Sequence, residues 1–479
     1  MLSLNKGYML HTIFSILAVL IAISVSINPF LSASIIIALF CGILLFLWPK
    51  KSFELTLIIM LSIPANISSY EFFHLNIPMI NLDIFKAILL LVYLVLLIQR
   101  LMRKKSIFSQ TGWSTVILFS TFVLYYLLGK YYGNGSVFTD AKNFMFIPLV
   151  FTLGVSFYQN DEDSIRSFMK IVSISSFILS VITIFMFFTK HSLFQPIFAS
   201  SFEANTTRVG FANHSNFAFA IPLLILTLKL KLLNKIWTKF ILLTLLLMII
   251  SLIFGESRSL IFGVVINTIF ITFYTTYFVD KKSIIDKTVR LMFVFFVIPV
   301  FLIIIIFLIP SVNERVVSVF ERFNSVYSEG GSESLDTRNI SNEYYYDLIK
   351  QKISGYGMGK EMWLINSLGH PFVQGMNIDN AFITLAYKFG VFGLLAWSFF
   401  YFKRIVNVFK SFKNKRNSIE EKFAKCVLFC LPMVLLNSTF FTAQLVMNST
   451  VYSFTLVLLA LFHSGNSSIN KLNEITKLD

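Results

Sequence analysis

The chain has 479 residues, of which 56% are apolar and only 13% are charged, with a formal net charge of +16. That is about half the charged share of a soluble domain, and apolar runs of membrane-spanning length recur from end to end, which excludes a soluble globule. The basic residues sit in short clusters between apolar runs, as topology control requires, so the positive charge does not mark a nucleic-acid binder.

Taken in chain order, the pattern predicts an all-α polytopic membrane protein with about 14 spans. They fall near residues 8–27, 30–48, 53–67, 82–98, 113–128, 144–157, 171–188, 211–230, 237–254, 260–277, 291–309, 381–402, 426–441 and 445–462. The first run follows Lys6 and has the length of a signal peptide's apolar core. It lacks a small-residue cleavage site and another span follows at once, so it reads as a retained helix. Cys41, Cys426 and Cys430 all lie in apolar runs and show neither a metal-ligand pattern nor a disulfide framework.

Charge sets the orientation. Alternate connections hold Lys50 and Lys51; Arg100, Arg103, Lys104 and Lys105; Arg166 and Lys170; Lys229, Lys231 and Lys235; Lys281, Lys282, Lys287 and Arg290; and the cluster from Lys403 to Lys425. The opposite connections are poor in basic residues, so the rich side is cytoplasmic, and so are both termini.

The connection 311–380 stands apart, because it is far longer than an ordinary loop and lies on the external side. Val312, Val316, Val319, Phe320 and Phe323 recur at helical spacing, as in a helix lying on a membrane surface. Ile340, Tyr344, Leu348 and Ile349 predict a second amphipathic helix beyond a flexible joint at 329–334. The chain thus divides into helices within 1–310, an external loop at 311–380 and the last three spans with a cytoplasmic tail at 381–479.

Four positions at the external face carry candidate chemistry. Arg208 stands before the eighth span, Arg258 at the entrance of the tenth, Arg338 in the long loop, and Asp379-Asn380 where that loop re-enters the membrane. A guanidinium at a membrane edge needs an anionic or polar partner. Its planar fork of donors suits phosphate oxygens. The competing readings are structural: Arg208 snorkelling to headgroups, Arg258 paired with Glu256, Asp379 capping the helix that follows, and His214 and His370 as loop hydrogen-bonders. Lys388, inside the twelfth span, is expected to face a polar cavity rather than lipid. No phosphate-binding Gly-rich loop ending in Lys-Ser/Thr and no zinc-type His/Cys cluster occurs, so no metal or cofactor is expected.

Taken together, the order of these features resembles the O-antigen ligase and polysaccharide polymerase superfamily of bacterial envelopes. The features are Arg208, the Ser257-Arg258-Ser259 entrance, Arg338, a Tyr-rich helix, Ser354-Gly-Tyr-Gly-Met-Gly359, Asp379-Asn-Ala-Phe-Ile383 and Lys388-Phe-Gly-Val-Phe-Gly-Leu394. The resemblance is clearest from about 206 to 395. It implies an inverting, metal-independent membrane glycosyltransferase acting at the external face of the bacterial cytoplasmic membrane. The donor it implies is an undecaprenyl-diphosphate-linked oligosaccharide. Arg208 and Arg258 would grip the diphosphate, Arg338 would approach the same site or the sugar, and Asp379 would be the base, with His370 the competing candidate. Many ligases have His-Asn where this chain has Asp379-Asn380. The activity expected is a polymerase of lipid-linked repeat units for capsular, exo- or O-antigen polysaccharide. The alternatives are a ligase that moves a finished glycan and a flippase for the same lipid. Candidate partners beyond membrane lipids are a flippase and a chain-length regulator, with no role for nucleic acid.

Overall fold

The computed structural model describes residues 47–63, 74–77, 80–102, 112–158, 161–189, 209–255, 257–279, 333–365, 370–375, 378–414, 418–441 and 444–463. The first, second and eleventh expected spans, the 312–323 helix and both termini lie outside them. The described chain is mostly helical. The first helices are α1 (Pro49–Ser62), α2 (Ile84–Met102), α3 (Trp113–Tyr131), α4 (Val137–Phe144), α5 (Phe146–Phe157) and α6 (Glu162–Thr189). A 3-10 turn (Ala212–Asn216) leads into α7 (Phe217–Lys229), followed by α8 (Lys235–Gly255) and α9 (Arg258–Tyr274). Then come α10 (Glu333–Gln351), α11 (Ala381–Asn414), α12 (Ile419–Leu435), α13 (Gln444–Met447) and α14 (Ser449–Ala460).

Six of the described helices are long and apolar enough to cross a membrane: α2, α3, α6, α8, α9 and α11. The expected count of 14 is therefore supported only in part. Two antiparallel hairpins depart from the all-α expectation: β1 (His74–Ile77) with β2 (Ile80–Asp83), and β3 (Met362–Ile365) with β4 (Pro371–Gly375). They lie in connections between apolar runs, and strands of four or five residues leave almost no period-2 signal.

Capping sets several helix starts. Pro49 opens α1 at a position where its missing N–H costs nothing. Ser418 accepts from Glu421 N at the start of α12, with Glu420 and Glu421 in the first turn. Asn448 accepts from Thr450 N and Val451 N at the start of α14. Inside the helices, hydroxyls donate back to their own helix: Thr152 to Pro148 O, Ser173 to Met169 O and Thr227 to Leu223 O. This satisfies polar groups where lipid offers no water.

One large apolar core joins the helices, with α3 against α11, α5 against α14 and α6 against α8. Buried Asn side chains pin the packing. Asn267 donates from α9 to Ala218 O on α7 and Cys430 O on α12, at 2.9 and 3.3 Å. Cys426 and Cys430 are buried free thiols, in keeping with a packing role.

A glycine strap at the break in α11

The helix α11 is broken at Gly390, whose φ of 60° and ψ of −169° lie outside helical space. A side chain there would be strained, and a Cβ would fall 2.4 Å from Ile353 O. The break orphans the carbonyls of the preceding turn, and a backbone strap, residues 353–359, takes them up. Tyr356 N donates to Tyr387 O and Gly357 N to Lys388 O, each at 2.9 Å, and Val391 N donates back to Ile353 O at 3.0 Å. The strap's other side lies on α3, where Met358 N donates to Tyr125 O and the Tyr125 hydroxyl donates to Ser354 O. Asn134 Nδ2 donates to Tyr356 O and Met358 O. At Gly357 (φ +84°) a Cβ would meet Gly129 Cα at 2.8 Å, so the two chains touch backbone to backbone.

Lys388 proves to be fully buried, with its Nζ 2.6 Å from Asp140 Oδ2 on α4. It is kept from lipid as expected, but by burial against a counterion and not by a polar cavity. Its counterpart is a carboxylate, which also accepts from Gly359 N at 2.7 Å.

Candidate active site

The strap leads back to α10 and forward to the β3–β4 hairpin. These elements and the start of α11 share a small core of Tyr345, Met362, Ile378 and Tyr387, separate from the main bundle core. Tyr345 packs on Tyr387 with ring centroids 4.9 Å apart, and its hydroxyl accepts from Trp363 N. Burial pushes the Tyr345 phenol up from its usual range, so it stays a neutral O–H. The buried face of α10 therefore runs through Ser341 and Tyr345, while Tyr344 is exposed. The expected apolar face was centred one residue away.

On that frame Arg338 Nε donates to Asp379 Oδ2 at 2.6 Å, joining α10 to the residue two before α11. Both side chains remain partly open, at 36% and 42% of their full exposure. The pair lines a cleft with Ser341, Asn342, Leu364 and Asn380. Ser341 Oγ accepts from Ile365 N, which ties the hairpin to the cleft floor. The capping alternative for Asp379 does not hold: Asn380 Oδ1 accepts from Phe382 N and Ile383 N at 3.0 and 3.3 Å and caps α11 itself. Among the described residues, Asp379 Oδ1 accepts no hydrogen bond, while Oδ2 holds Arg338. His370 stands exposed just before β4 and is not among the residues that line the cleft.

The other arginines are reached only through their neighbours. Arg208 lies outside the described residues, as does Glu256, and Arg258 begins α9 with its side chain outside them. Even so, Val209 N donates to Phe254 O at 3.2 Å, and a Cβ on Gly255 would lie 3.7 Å from Val209 O. The residue after Arg208 thus packs on the helix end that leads to Arg258. His214 locks this contact. Phe211 N donates to its Nδ1, which leaves the ring proton on Nε2, 3.0 Å from both Thr183 Oγ1 and Ser251 Oγ. His214 is a buried hydrogen-bonder, in line with its structural reading.

The fold and this site define a polytopic helical membrane protein in which a strapped loop carries an arginine–carboxylate pair to the start of a broken helix. Residues 243–398 match the family described as O-antigen ligase. The matched stretch runs from α8 through Arg258, Arg338, the strap and Asp379 into α11, and it places this region in the O-antigen ligase and polymerase superfamily. No curated protein and no solved structure matches the chain. Asp140, the partner of Lys388, was not anticipated from the sequence. It lies 248 residues from Lys388 in a connection that carries no motif, and the one available signal was an acidic residue among the Gly and Asn of a turn.

Proposed function

We propose that the protein is a membrane glycosyltransferase that polymerises undecaprenyl-diphosphate-linked oligosaccharide repeat units at the external membrane face. The observation that carries this reading is the Arg338–Asp379 pair in a small cleft at the start of α11, within the stretch that matches the family. In the proposed step an acceptor hydroxyl oxygen attacks the anomeric carbon of the donor sugar from the face opposite the diphosphate. The anomeric carbon–oxygen bond breaks, and undecaprenyl diphosphate leaves with the electron pair. Asp379 takes the hydroxyl proton, with Oδ1 open to do so while Arg338 holds Oδ2 and orients the carboxylate. Arg208 and Arg258 grip the diphosphate, which is already a good leaving group and needs charge stabilisation more than a proton. The contact between Val209 and Phe254 supports their convergence.

A ligase that moves a finished glycan is the second reading, favoured by the family's own description. The test is transfer by purified protein in lipid vesicles supplied with lipid-linked repeat units. A ladder of lengthening products supports a polymerase, a single transfer to a different acceptor supports a ligase, and no transfer to any supplied acceptor overturns the reading. Arg208→Lys and Arg258→Lys should each lower the rate about a hundredfold or more, because a point charge cannot replace a bidentate fork.

A further inference from the structure

The buried Asp140–Lys388 pair lies outside the cleft and touches neither Arg338 nor Asp379. It nevertheless joins three segments at one point. Asp140 Oδ2 receives Lys388 Nζ from α11 and Gly359 N from the strap, while the Lys388 carbonyl receives Gly357 N. Both side chains are fully buried. A buried ion pair is weak evidence for stability, since apolar residues of similar volume often serve as well or better. Its worth is geometric. The strap continues directly from α10, which carries Arg338, and Lys388 sits on the half-helix whose first turn follows Asp379. A joint that fixes the strap against the break in α11 therefore fixes the two halves of the cleft against each other.

We infer that Asp140 and Lys388 are positioning residues for the transfer reaction, with their ion pair setting the placement of Arg338 on α10 against Asp379 at the start of α11. This rests on the reading of those two residues as the reacting end of the site. A misplacement of about 1 Å at a reacting centre costs up to about a hundredfold in rate, so the effect falls on turnover rather than on donor affinity.

The experiment uses the full-length protein in lipid vesicles, with donor KM and turnover measured side by side. A second readout is the distance between spin labels on two exposed positions, Asp347→Cys on α10 and Tyr131→Cys on α3, with Cys41, Cys426 and Cys430 replaced by Ala. Asp140→Asn and Lys388→Met should lower turnover about tenfold or more with donor KM within about twofold, and should broaden the distance distribution. Either variant could simply fail to fold, because it leaves one partner buried alone. The double variant Asp140→Asn/Lys388→Met removes both charges, keeps an acceptor for Gly359 N and guards against that outcome. It should be recovered at wild-type abundance, yet keep the low turnover and the broad distribution. Wild-type turnover with a narrow distribution in the double variant overturns the inference and leaves the pair a stability element. Full turnover in Arg338→Lys and Asp379→Asn would instead overturn the site reading, while the spin-label distances still test the joint.

Discussion

At the scale of single residues, Asp379 shows how the structure separates two roles that the sequence leaves merged. An acidic residue just before a long helix is an ordinary cap, and Asn serves about as well as Asp there. Because Asn380 holds the cap, the two roles sit on adjacent residues and can be tested independently. The Arg338–Asp379 pair is more than a third exposed, so it contributes only about 0–1 kcal/mol to stability. Asp379→Asn should therefore leave abundance and melting temperature near wild type while lowering transfer about a hundredfold to ten-thousandfold. Asn380→Ala removes the cap and should cost about 0.5–2 kcal/mol of stability. A thermal melt and a transfer assay on the same preparations check both. Near-normal transfer in Asp379→Asn would remove the carboxylate from the chemistry, and His370→Gln would then become the informative variant.

Arg208, Arg258 and Asp379 stood out in the sequence because each is a polar or charged group where an apolar run begins, and Arg338 because it lies in the one connection far longer than an ordinary loop. Their partners did not, because pairing depends on contacts between residues far apart in the chain. Arg404 makes the same point: it reads as one of the basic cluster from Lys403 to Lys425. In the fold it is buried, bonded to Thr115, with its guanidinium 4.0 Å from the Phe151 ring.

At the scale of elements, helix existence followed from apolar length, and most helix bounds fell within a few residues of expectation. The break in α11 did not, although Gly390 and Gly393 are plainly visible. A glycine in an apolar helix is tolerated often enough that its presence decides nothing. Only the strap, which bonds to the carbonyls just before the break, shows that this one is required. The contrast yields an opposed pair of variants. Gly357→Ala places a Cβ at positive φ against the Gly129 backbone, which neither side can yield, so it should lower the melting temperature in detergent and reduce recovery. Gly263→Ala lies in helical backbone on α9 with the nearest side-chain atom, Met433 Cβ, at 4.0 Å, and should leave the melting temperature unchanged or raise it. Equal effects from the two substitutions would mean that the strap contact at Gly129 is not tight.

At the scale of the whole molecule, the charge bias and the fold make independent statements about sidedness. The helices α3 and α11 pack against each other in opposite directions. Their contacts at one end run through the strap, by Tyr125 to Ser354, and at the other through Arg404 to Thr115. The part of α11 after the break, residues 391–414, is about 36 Å long at about 1.5 Å per residue, more than the roughly 30 Å hydrocarbon core, so a crossing by it would put the strap and the C-terminal end of α11 on opposite sides of the membrane. By the charge pattern of the sequence, Arg103 belongs to the same basic set as the 403–425 cluster. The positive-inside rule then assigns the basic end to the cytoplasm. An impermeant thiol reagent applied to intact cells should therefore label Ser332→Cys and leave Arg103→Cys and Lys415→Cys unlabelled until the cells are permeabilised. Labelling of Lys415→Cys in intact cells would invert the orientation and move the cleft to the cytoplasmic face, where an external polymer could not be made. Labelling of both Ser332→Cys and Lys415→Cys in intact cells would mean that α11 does not carry the chain across the membrane between the two positions.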